Sequence, residues 1–148
     1  MKPLIVLLTA FVVTLLILFL IGHQWEFTLA GNIGMAVMLV FTAIGHFVFK
    51  EGMSKMLPEK VPFRQNIILA TGFLEILLGI GLIIEPLRVI IAWILIVFFI
   101  LILPSNIFAA TRKLNIEKGT YDGPGLRYLW FRIPLQLFFI VWIAYCSL

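Results

Sequence analysis

The sequence predicts an all-α fold, a polytopic bundle of transmembrane helices, from three observations. Apolar residues make up 63% of the chain and charged residues only 12%, and the mean hydropathy is +1.16, values that lie outside the range of soluble domains. The apolar residues gather in five stretches near the roughly 20 residues that a helix needs to cross about 30 Å of hydrocarbon. Because none of the stretches alternates with a period of two, helices rather than a β-barrel must satisfy the backbone hydrogen bonds in lipid.

The five predicted spans form a single transmembrane domain over residues 1–148. In order, they cover about residues 3–22, 31–49, 66–84, 88–110 and 128–147. An alternative for the first stretch is a cleaved signal peptide, because Lys2 precedes it and Thr28, Leu29 and Ala30 resemble a small-residue cleavage site. The apolar run is longer than the apolar region of such peptides, so we assign it as a helix that is retained.

The loops between the spans carry positive charge almost entirely on one side. Of the 11 lysines and arginines, all but Arg88 lie on or near the loops that share a side with the N-terminus. Since cationic loops tend to stay in the cytoplasm, we expect the N-terminus inside and the C-terminus outside. This topology explains the isoelectric point near 9.5, so the basic composition predicts membrane lipid as a partner and no nucleic acid.

The two long loops on the basic side and the cysteine content allow further predictions. Residues 50–66 are either a short amphipathic segment on the inner leaflet or a connecting loop that buries two methionines. Residues 111–127 contain three glycines and a proline, which predict a mobile loop that is able to dock a protein partner. Cys146 is the single cysteine, so the chain lacks the thiol pair of a disulfide exchange centre, and we predict no metal site.

Few polar residues lie inside the spans, and intramembrane polar residues are where function is expected. Counted at 1.5 Å per residue from the nearest loop cation, His46 lies about 6 Å and Asn106 about 9 Å below the cytoplasmic boundary. Arg132 and Gln136 lie roughly 7 and 13 Å deep and, as an i, i+4 pair, on one helix face. Glu75 is the deepest, at about 16 Å. We predict that these five residues bind a ligand, with Glu75 as the candidate acid or base if the protein is an enzyme.

The expected partner of Glu75 is Arg132. An ionisable group at this depth costs about 2.5 to 3.5 kcal/mol, so Glu75 should face the bundle interior and be protonated or paired. Thr71, Gly72 and Gly79 share its helix face, and the two glycines let a neighbouring backbone approach closely. The sequence therefore predicts free space around the Glu75 carboxyl group.

Two prolines extend the predicted polar layer. Pro104 and Pro134 each remove a helical amide hydrogen bond and free a carbonyl, those of Ile100 and Trp130. Together with the polar side chains they predict a small pocket that opens toward the cytoplasm. The alternative is a buried hydrogen-bond network that holds the helices in register and binds no ligand.

Five short motifs occur in an order that carries a family resemblance. They are Gly45-His46-Phe47, Leu57-Pro58, the run from Thr71 to Leu82, Pro104-Ser105-Asn106-Ile107 and Arg132-Ile133-Pro134-Leu135-Gln136. Over about residues 42–145 the chain resembles the DoxX-like family of small bacterial integral membrane proteins. That family usually has Pro-Ala-Asn where this chain has Pro104-Ser105-Asn106, and the N-terminal span lies outside the resemblance.

The resemblance implies a four-helix core plus an N-terminal helix, in the bacterial cytoplasmic (inner) membrane. The namesake of the family is a membrane subunit of a thiosulfate:quinone oxidoreductase. This implies a link to membrane redox chemistry, with a quinone as the ligand or cofactor and a redox protein as the partner on the cytoplasmic side. Such an implication rests on family analogy and not on a site.

These observations lead to two main hypotheses. The first, which we favour, is a non-catalytic subunit or binding protein for a quinone or another amphiphile. The second is a small membrane enzyme that performs acid–base chemistry on a lipid-like substrate, with Glu75 as general acid or base and His46 or Arg132 balancing its charge. The sequence has no second carboxylate at that depth and no nucleotide-binding loop, which favours binding over catalysis. A purely structural bundle and an ion carrier are further hypotheses.

Overall fold

The computed structural model describes residues 2–148, which fold into six α-helices and no strand. This confirms the all-α prediction. The helices are α1 (Lys2–Gly22), α2 (Phe27–Val48), α3 (Lys50–Ser54), α4 (Arg64–Ile83), α5 (Arg88–Thr111) and α6 (Leu129–Ser147). Short 3-10 turns, Glu85–Leu87 and Gly125–Tyr128, lead into α5 and α6. All helices except α3 are long and apolar enough to cross a membrane, so the chain is a multi-pass membrane protein with five spans.

The second span starts earlier than the sequence indicates. Helix α2 begins at Phe27, four residues before the predicted start at 31, and the Ala30 N–H already donates a helical hydrogen bond to the Glu26 carbonyl at 3.0 Å. Gly31 therefore marks no helix boundary. A Cβ at this position would collide with the Cys146 Sγ, so the glycine serves close packing of α2 against α6.

The loops divide between the two ends of the bundle. The basic face consists of Lys2, residues 49–63 and residues 112–128, and the opposite face consists of residues 23–26, residues 84–87 and Leu148. The Lys2 ammonium lies 3.2 Å from a Glu117 carboxylate oxygen, which ties the start of α1 to the loop between α5 and α6. The N-terminus and both long loops thus share one end.

Helix α2 is the centre of the bundle. It packs against α1, α4 and α6, and α5 completes a four-helix core by packing against α4 and α6. Glycines bring the helices close, since a Cβ on Gly79 of α4 would lie 3.3 Å from the Ala36 carbonyl oxygen of α2. Helix α1 lies outside this core and has one buried residue, Leu7. The arrangement is four core helices plus an N-terminal helix that mostly faces lipid.

The two loops of the basic face pack against each other. Gly52 of α3 lies so close to Ile116 that a Cβ would collide with its carbonyl oxygen. The Lys55 ammonium donates a hydrogen bond to the Gly119 carbonyl and lies 5.7 Å from the centre of the Tyr121 ring. Helix α3 is thus a five-residue element held on the second loop, which favours the connecting-loop interpretation of residues 50–66.

The second loop, residues 112–124, is hydrogen-bonded internally. The Asn115 N–H donates to the Thr120 carbonyl and the Gly123 N–H donates to the Lys113 carbonyl, both at 2.7 Å. Gly119 has a φ of +67°, a conformation that glycine adopts without strain. The glycines thus take part in hydrogen-bonded turns, and the mobility that the glycine content predicts stays a prediction.

Candidate functional site

His46 of α2 and Glu75 of α4 form a buried pair in the seam between these helices. The His46 Nε2 lies 3.3 Å from the Glu75 Oε1, and the side chains are 14% and 6% exposed. Gly72 permits this approach, because a Cβ there would lie only 2.8 Å from the His46 Cβ. No third His, Cys, Asp or Glu of residues 2–148 joins them in a group placed to hold a metal ion. The structure therefore brings together two of the five predicted site residues.

Each member of the pair also contacts a threonine of the opposite helix. Glu75 of α4 contacts a threonine of α2, and His46 of α2 contacts a threonine of α4. The Oγ1 of Thr42, four residues before His46, lies 2.9 Å from the Glu75 Oε2. The Oγ1 of Thr71, four residues before Glu75, lies 3.0 Å from the His46 Nδ1. The two threonines therefore bracket the pair from both sides. Thr42 is missing from the predicted site, although its i, i+4 spacing to His46 was a signal that the two share a helix face.

The Ile68 carbonyl determines which His46 nitrogen carries a proton. It lies 3.0 Å from Nδ1, and a carbonyl oxygen only accepts, so Nδ1–H is the donor. The Thr71 hydroxyl donates to the same carbonyl at 2.8 Å, which leaves its lone pairs free to accept from Nδ1–H. A single proton between Nε2 and the Glu75 Oε1 would make the pair either a carboxylic acid with imidazole or a carboxylate with imidazolium. Both forms have zero net charge, which lowers the cost of burial in lipid.

Arg132 is not the partner of Glu75, so this part of the prediction is wrong. Among residues 2–148, the salt-bridge partner of Glu75 is His46, and Arg132 forms no salt bridge. Helix α6, which carries Arg132, packs chiefly against α2 and α5, whereas Glu75 reaches α2 from α4. The sequence reveals depth along a helix axis but not which helices are neighbours, and this is the reason for the error.

The other two predicted residues form no hydrogen bond with the pair. Gln136 is 5% exposed, and its Nε2 donates a hydrogen bond to the Phe99 carbonyl at 2.6 Å, which joins α6 to α5. Asn106 is 8% exposed, and its Nδ2 has no hydrogen-bond partner among the described residues. Of the five predicted residues, His46 and Glu75 thus form a pair and Gln136 joins α6 to α5. Arg132 and Asn106 form no hydrogen bond or salt bridge with the other three.

An aromatic pair covers the seam beside His46. The rings of Phe47 and Phe73 meet edge to face, with their centroids 5.0 Å apart and an interplanar angle of 72°. Phe73 is 61% exposed, which in a membrane-spanning helix means contact with lipid. The seam therefore combines a polar pair with a lipid-facing aromatic surface.

A second polar cluster, which sequence reasoning missed, lies at the other end of α2. Asn32 is 1% exposed, and its Nδ2 donates to the carbonyls of Thr28 at 2.8 Å and Cys146 at 3.0 Å. Its Oδ1 accepts a hydrogen bond from the Ser147 hydroxyl. We call these four residues the Asn32 clamp, because they join α2 to α6. An asparagine one residue inside a predicted span is easily taken for an interfacial residue, which hides this role.

Two hollows in the protein surface lie away from the predicted residues. One of about 500 Å³ opens at the opposite face, and one of about 380 Å³ lies between α1, α2 and α6. None of the five predicted site residues lines either hollow. These hollows are therefore not the pocket that the sequence predicts near the basic face.

Comparison with known proteins gives one family. A family described as a domain of unknown function (DUF8561) matches residues 35–147, which include most of α2 and all of α3 to α6. No curated protein and no solved structure matches the chain. The matched region contains the His46–Glu75 pair and leaves out α1 and the first residues of α2, Asn32 among them.

Proposed function

This chain belongs to the DUF8561 family, and we propose that it is a non-catalytic membrane subunit that binds the head group of a quinone or another amphiphile at the His46–Glu75 pair. The observation that carries the proposal is the pair itself, a buried contact of two ionisable side chains beside a lipid-facing aromatic surface. An amphiphile enters such a seam from the lipid and leaves its chain in the hydrocarbon, while a few polar groups orient its head.

The chemistry of a quinone head group suits this seam. Its carbonyl oxygens accept hydrogen bonds, and the hydroxyl groups of the reduced form donate them. The His46–Glu75 pair suits both, because a carboxyl group and an imidazole each donate or accept a hydrogen bond according to where a proton resides. The Thr42 Oγ1 lies 2.9 Å from both the Glu75 Oε2 and the Leu39 carbonyl, so its single hydrogen serves one of these two acceptors at a time. Phe73 presents an aromatic face to a flat ring.

The proposed setting is the bacterial cytoplasmic membrane, with the basic face inside. The distribution of lysine and arginine supports this orientation, and the DoxX-like motifs support the link to membrane redox chemistry. A redox protein partner would dock on the basic face through acidic groups of its own. The packed loops support such docking, since Lys55 and Arg112 lie 5.7 and 4.9 Å from the Tyr121 ring centre and form a folded cationic surface.

One observation also favours a second candidate, a small membrane enzyme that moves a proton on a lipid-like substrate. It is the contact of 3.3 Å between the His46 Nε2 and the Glu75 Oε1, because a general acid or base needs an ionisable group that a second group orients. In that case the Glu75 carboxyl group would exchange the proton and His46 would balance the charge. Turnover of an added amphiphile distinguishes this candidate from simple binding.

The test compares the wild type with the variants Glu75→Gln and His46→Gln. Protein purified in mild detergent is analysed by native mass spectrometry with lipid extraction and is then titrated with decylubiquinone. We expect one retained amphiphile, the one bound at the pair, to be lost in both variants. The affinity for decylubiquinone should fall at least about tenfold, since a hydrogen bond to a charged group contributes about 1.5 to 3 kcal/mol.

Two controls match the chemistry and the burial of these variants. Glu51→Gln changes an exposed glutamate that lines neither hollow, and Gln136→Leu removes a buried amide that does not touch the pair. Both should keep the ligand. Equal decylubiquinone affinity in all five proteins, or a retained protein partner with no retained small molecule, would contradict the binding site. Conversion of an added amphiphile that requires Glu75 would select the enzyme instead.

A further inference from the structure

The smaller hollow is an apolar groove where α1, α2 and α6 meet. Its walls are aromatic and come from all three helices: Phe11 from α1, Phe27 from α2, and Phe138, Trp142 and Tyr145 from α6. The volume is about 380 Å³, within the range of small-molecule sites. Because these residues belong to membrane-spanning helices, the material next to the groove is lipid.

The larger hollow is polar and lies at the opposite face, beside the groove. It is lined by Trp25, Glu26, Phe27, Glu85 and Arg88, among others. Phe27 lines both hollows, so the apolar groove and the polar hollow adjoin each other. This succession of an apolar and a polar compartment matches the shape of an amphiphile whose head lies at the membrane surface.

The charges of the polar hollow identify the kind of head group. The Arg88 Nε donates to the Leu82 carbonyl at 3.1 Å, which leaves the terminal guanidinium nitrogens available. Among the described residues no salt bridge joins Arg88 to Glu26 or Glu85, so one cation and two carboxylates line one cavity without direct contact. Arginine is well suited to a phosphate, and carboxylates accept hydrogen bonds from an ammonium group.

We propose that this compound cavity binds one zwitterionic phospholipid with a primary ammonium group, of the phosphatidylethanolamine type. The phosphate lies at Arg88, the ammonium group lies at the two glutamates, and one acyl chain occupies the aromatic groove. Phosphatidylglycerol brings no cation to the two carboxylates, and phosphatidylcholine has no N–H donor for them, so both should bind more weakly.

The proposal gives the N-terminal segment a role. Phe11 and residues 25–29 line the cavity, and all of them precede the family match over residues 35–147. Helix α1 would therefore build one wall of a lipid site that the four core helices lack. This site lies at the opposite face, away from the His46–Glu75 pair, and does not depend on the function proposed for that pair.

The experiment is a lipid competition measured by native mass spectrometry on the purified full chain. Equimolar dioleoyl phosphatidylethanolamine, phosphatidylcholine and phosphatidylglycerol are added in detergent to the wild type, Arg88→Gln and Val141→Trp. Val141 lines the groove and is 65% exposed, so tryptophan there fills the groove without removing a core contact. We expect phosphatidylethanolamine to be retained about tenfold over phosphatidylglycerol, and each variant to lose about tenfold in retention.

Matched controls place the same changes elsewhere. Arg127→Gln removes an arginine of the basic face, and Val97→Trp adds an indole to the exposed surface of α5. Both should retain phosphatidylethanolamine as the wild type does. If Arg88→Gln fails to fold, Val141→Trp still tests the site. Unselective retention of the three lipids by the wild type, or retention unchanged in Val141→Trp, would overturn the proposal.

A double variant, Glu26→Gln with Glu85→Gln, tests the assignment of the ammonium group. Both residues are exposed, so their substitution should leave the fold intact. The preference for phosphatidylethanolamine over phosphatidylglycerol should fall severalfold, because the carboxylates no longer repel the anionic lipid. An unchanged preference would overturn the assignment of the head group.

Discussion

The two ends of α2 carry polar clusters of different construction. The Asn32 clamp consists of one amide side chain, two backbone carbonyls and a serine hydroxyl, and both amide hydrogens and the amide oxygen have partners. The His46–Glu75 pair consists of two ionisable side chains whose facing atoms, Nε2 and Oε1, lie 3.3 Å apart. The clamp joins α2 to α6, whereas the pair joins α2 to α4.

The difference separates two uses of buried polarity in a membrane. No group in the clamp changes its protonation in the physiological range, so the clamp fixes the register of two helices and nothing else. A proton that moved within the pair would leave its net charge unchanged, so the pair is able to bind a donor or an acceptor of a ligand without leaving a charge in lipid. An amide cluster whose donors and acceptors all have partners therefore indicates a structural role. An ionisable pair beside an aromatic surface indicates a candidate binding site.

The largest expected effect on stability is that of Asn32→Leu. The substitution preserves volume but removes three hydrogen bonds, and with about 0.6 kcal/mol for each such bond in a membrane the free energy of unfolding should fall by about 2 kcal/mol. Denaturation in detergent measures this change. Asn66→Leu, at an exposed position near the start of α4, is the control, and an Asn32→Leu protein that unfolds like the wild type would contradict the clamp.

Gly72→Ala should have the next largest effect, and it should lower both the free energy of unfolding and the affinity for decylubiquinone. Its Cβ would lie 2.8 Å from the His46 Cβ, so α2 and α4 must separate, at a cost of about 1.5 kcal/mol in the free energy of unfolding. Decylubiquinone affinity should fall as well, because His46 moves away from Glu75. Gly22→Ala, with no atom within 4 Å of the added Cβ, should change neither quantity.

Glu75→Gln sharpens the comparison because it should separate stability from binding. Glutamine keeps the hydrogen bond to Thr42, so the free energy of unfolding should fall by less than about 1 kcal/mol, while ligand affinity falls about tenfold. Thermal denaturation and decylubiquinone titration on one preparation measure both. A large loss of stability with unchanged affinity would make the pair a second register clamp.

The smallest effect is expected from Lys2→Gln at the basic face. The Lys2–Glu117 salt bridge is 3.2 Å long, but its side chains are 74% and 60% exposed. Solvent screens such pairs, so the melting temperature should stay close to that of the wild type. The control is Lys60→Gln, at another exposed lysine of the same face. If Lys2→Gln clearly lowers the melting temperature and Lys60→Gln does not, the start of α1 is anchored more firmly than this geometry indicates.

The five spans were predictable because hydrophobicity over about 20 residues is a strong signal that needs no tertiary information. The start of α2 was less predictable, since Gly31 resembles a boundary in sequence and only the nearby Cys146 Sγ shows that it serves packing. Depth was also predictable by counting from loop cations, so His46 and Glu75 were both assigned to the buried half near the basic face.

The partners of the polar side chains were not predictable by the same counting. His46, Glu75, Arg132 and Gln136 lie at overlapping depths, but depth does not determine the order of helices around the bundle. That order depends on glycine contacts such as those of Gly72, which become visible only when the helices are assembled. The candidate site therefore contains two of the five predicted residues, His46 and Glu75. It also contains Thr42 and Thr71, whose contacts with the pair do not follow from their polarity alone.

The Asn32 clamp also has a consequence for biosynthesis. Its partners on α6, Cys146 and Ser147, follow Asn32 by 114 and 115 residues, so α2 enters the membrane long before they are made. Until α6 arrives, Asn32 has only the Thr28 carbonyl of its own helix to bond to. A chain that stalls before α6 therefore leaves one amide hydrogen and the amide oxygen of Asn32 without the partners that α6 supplies.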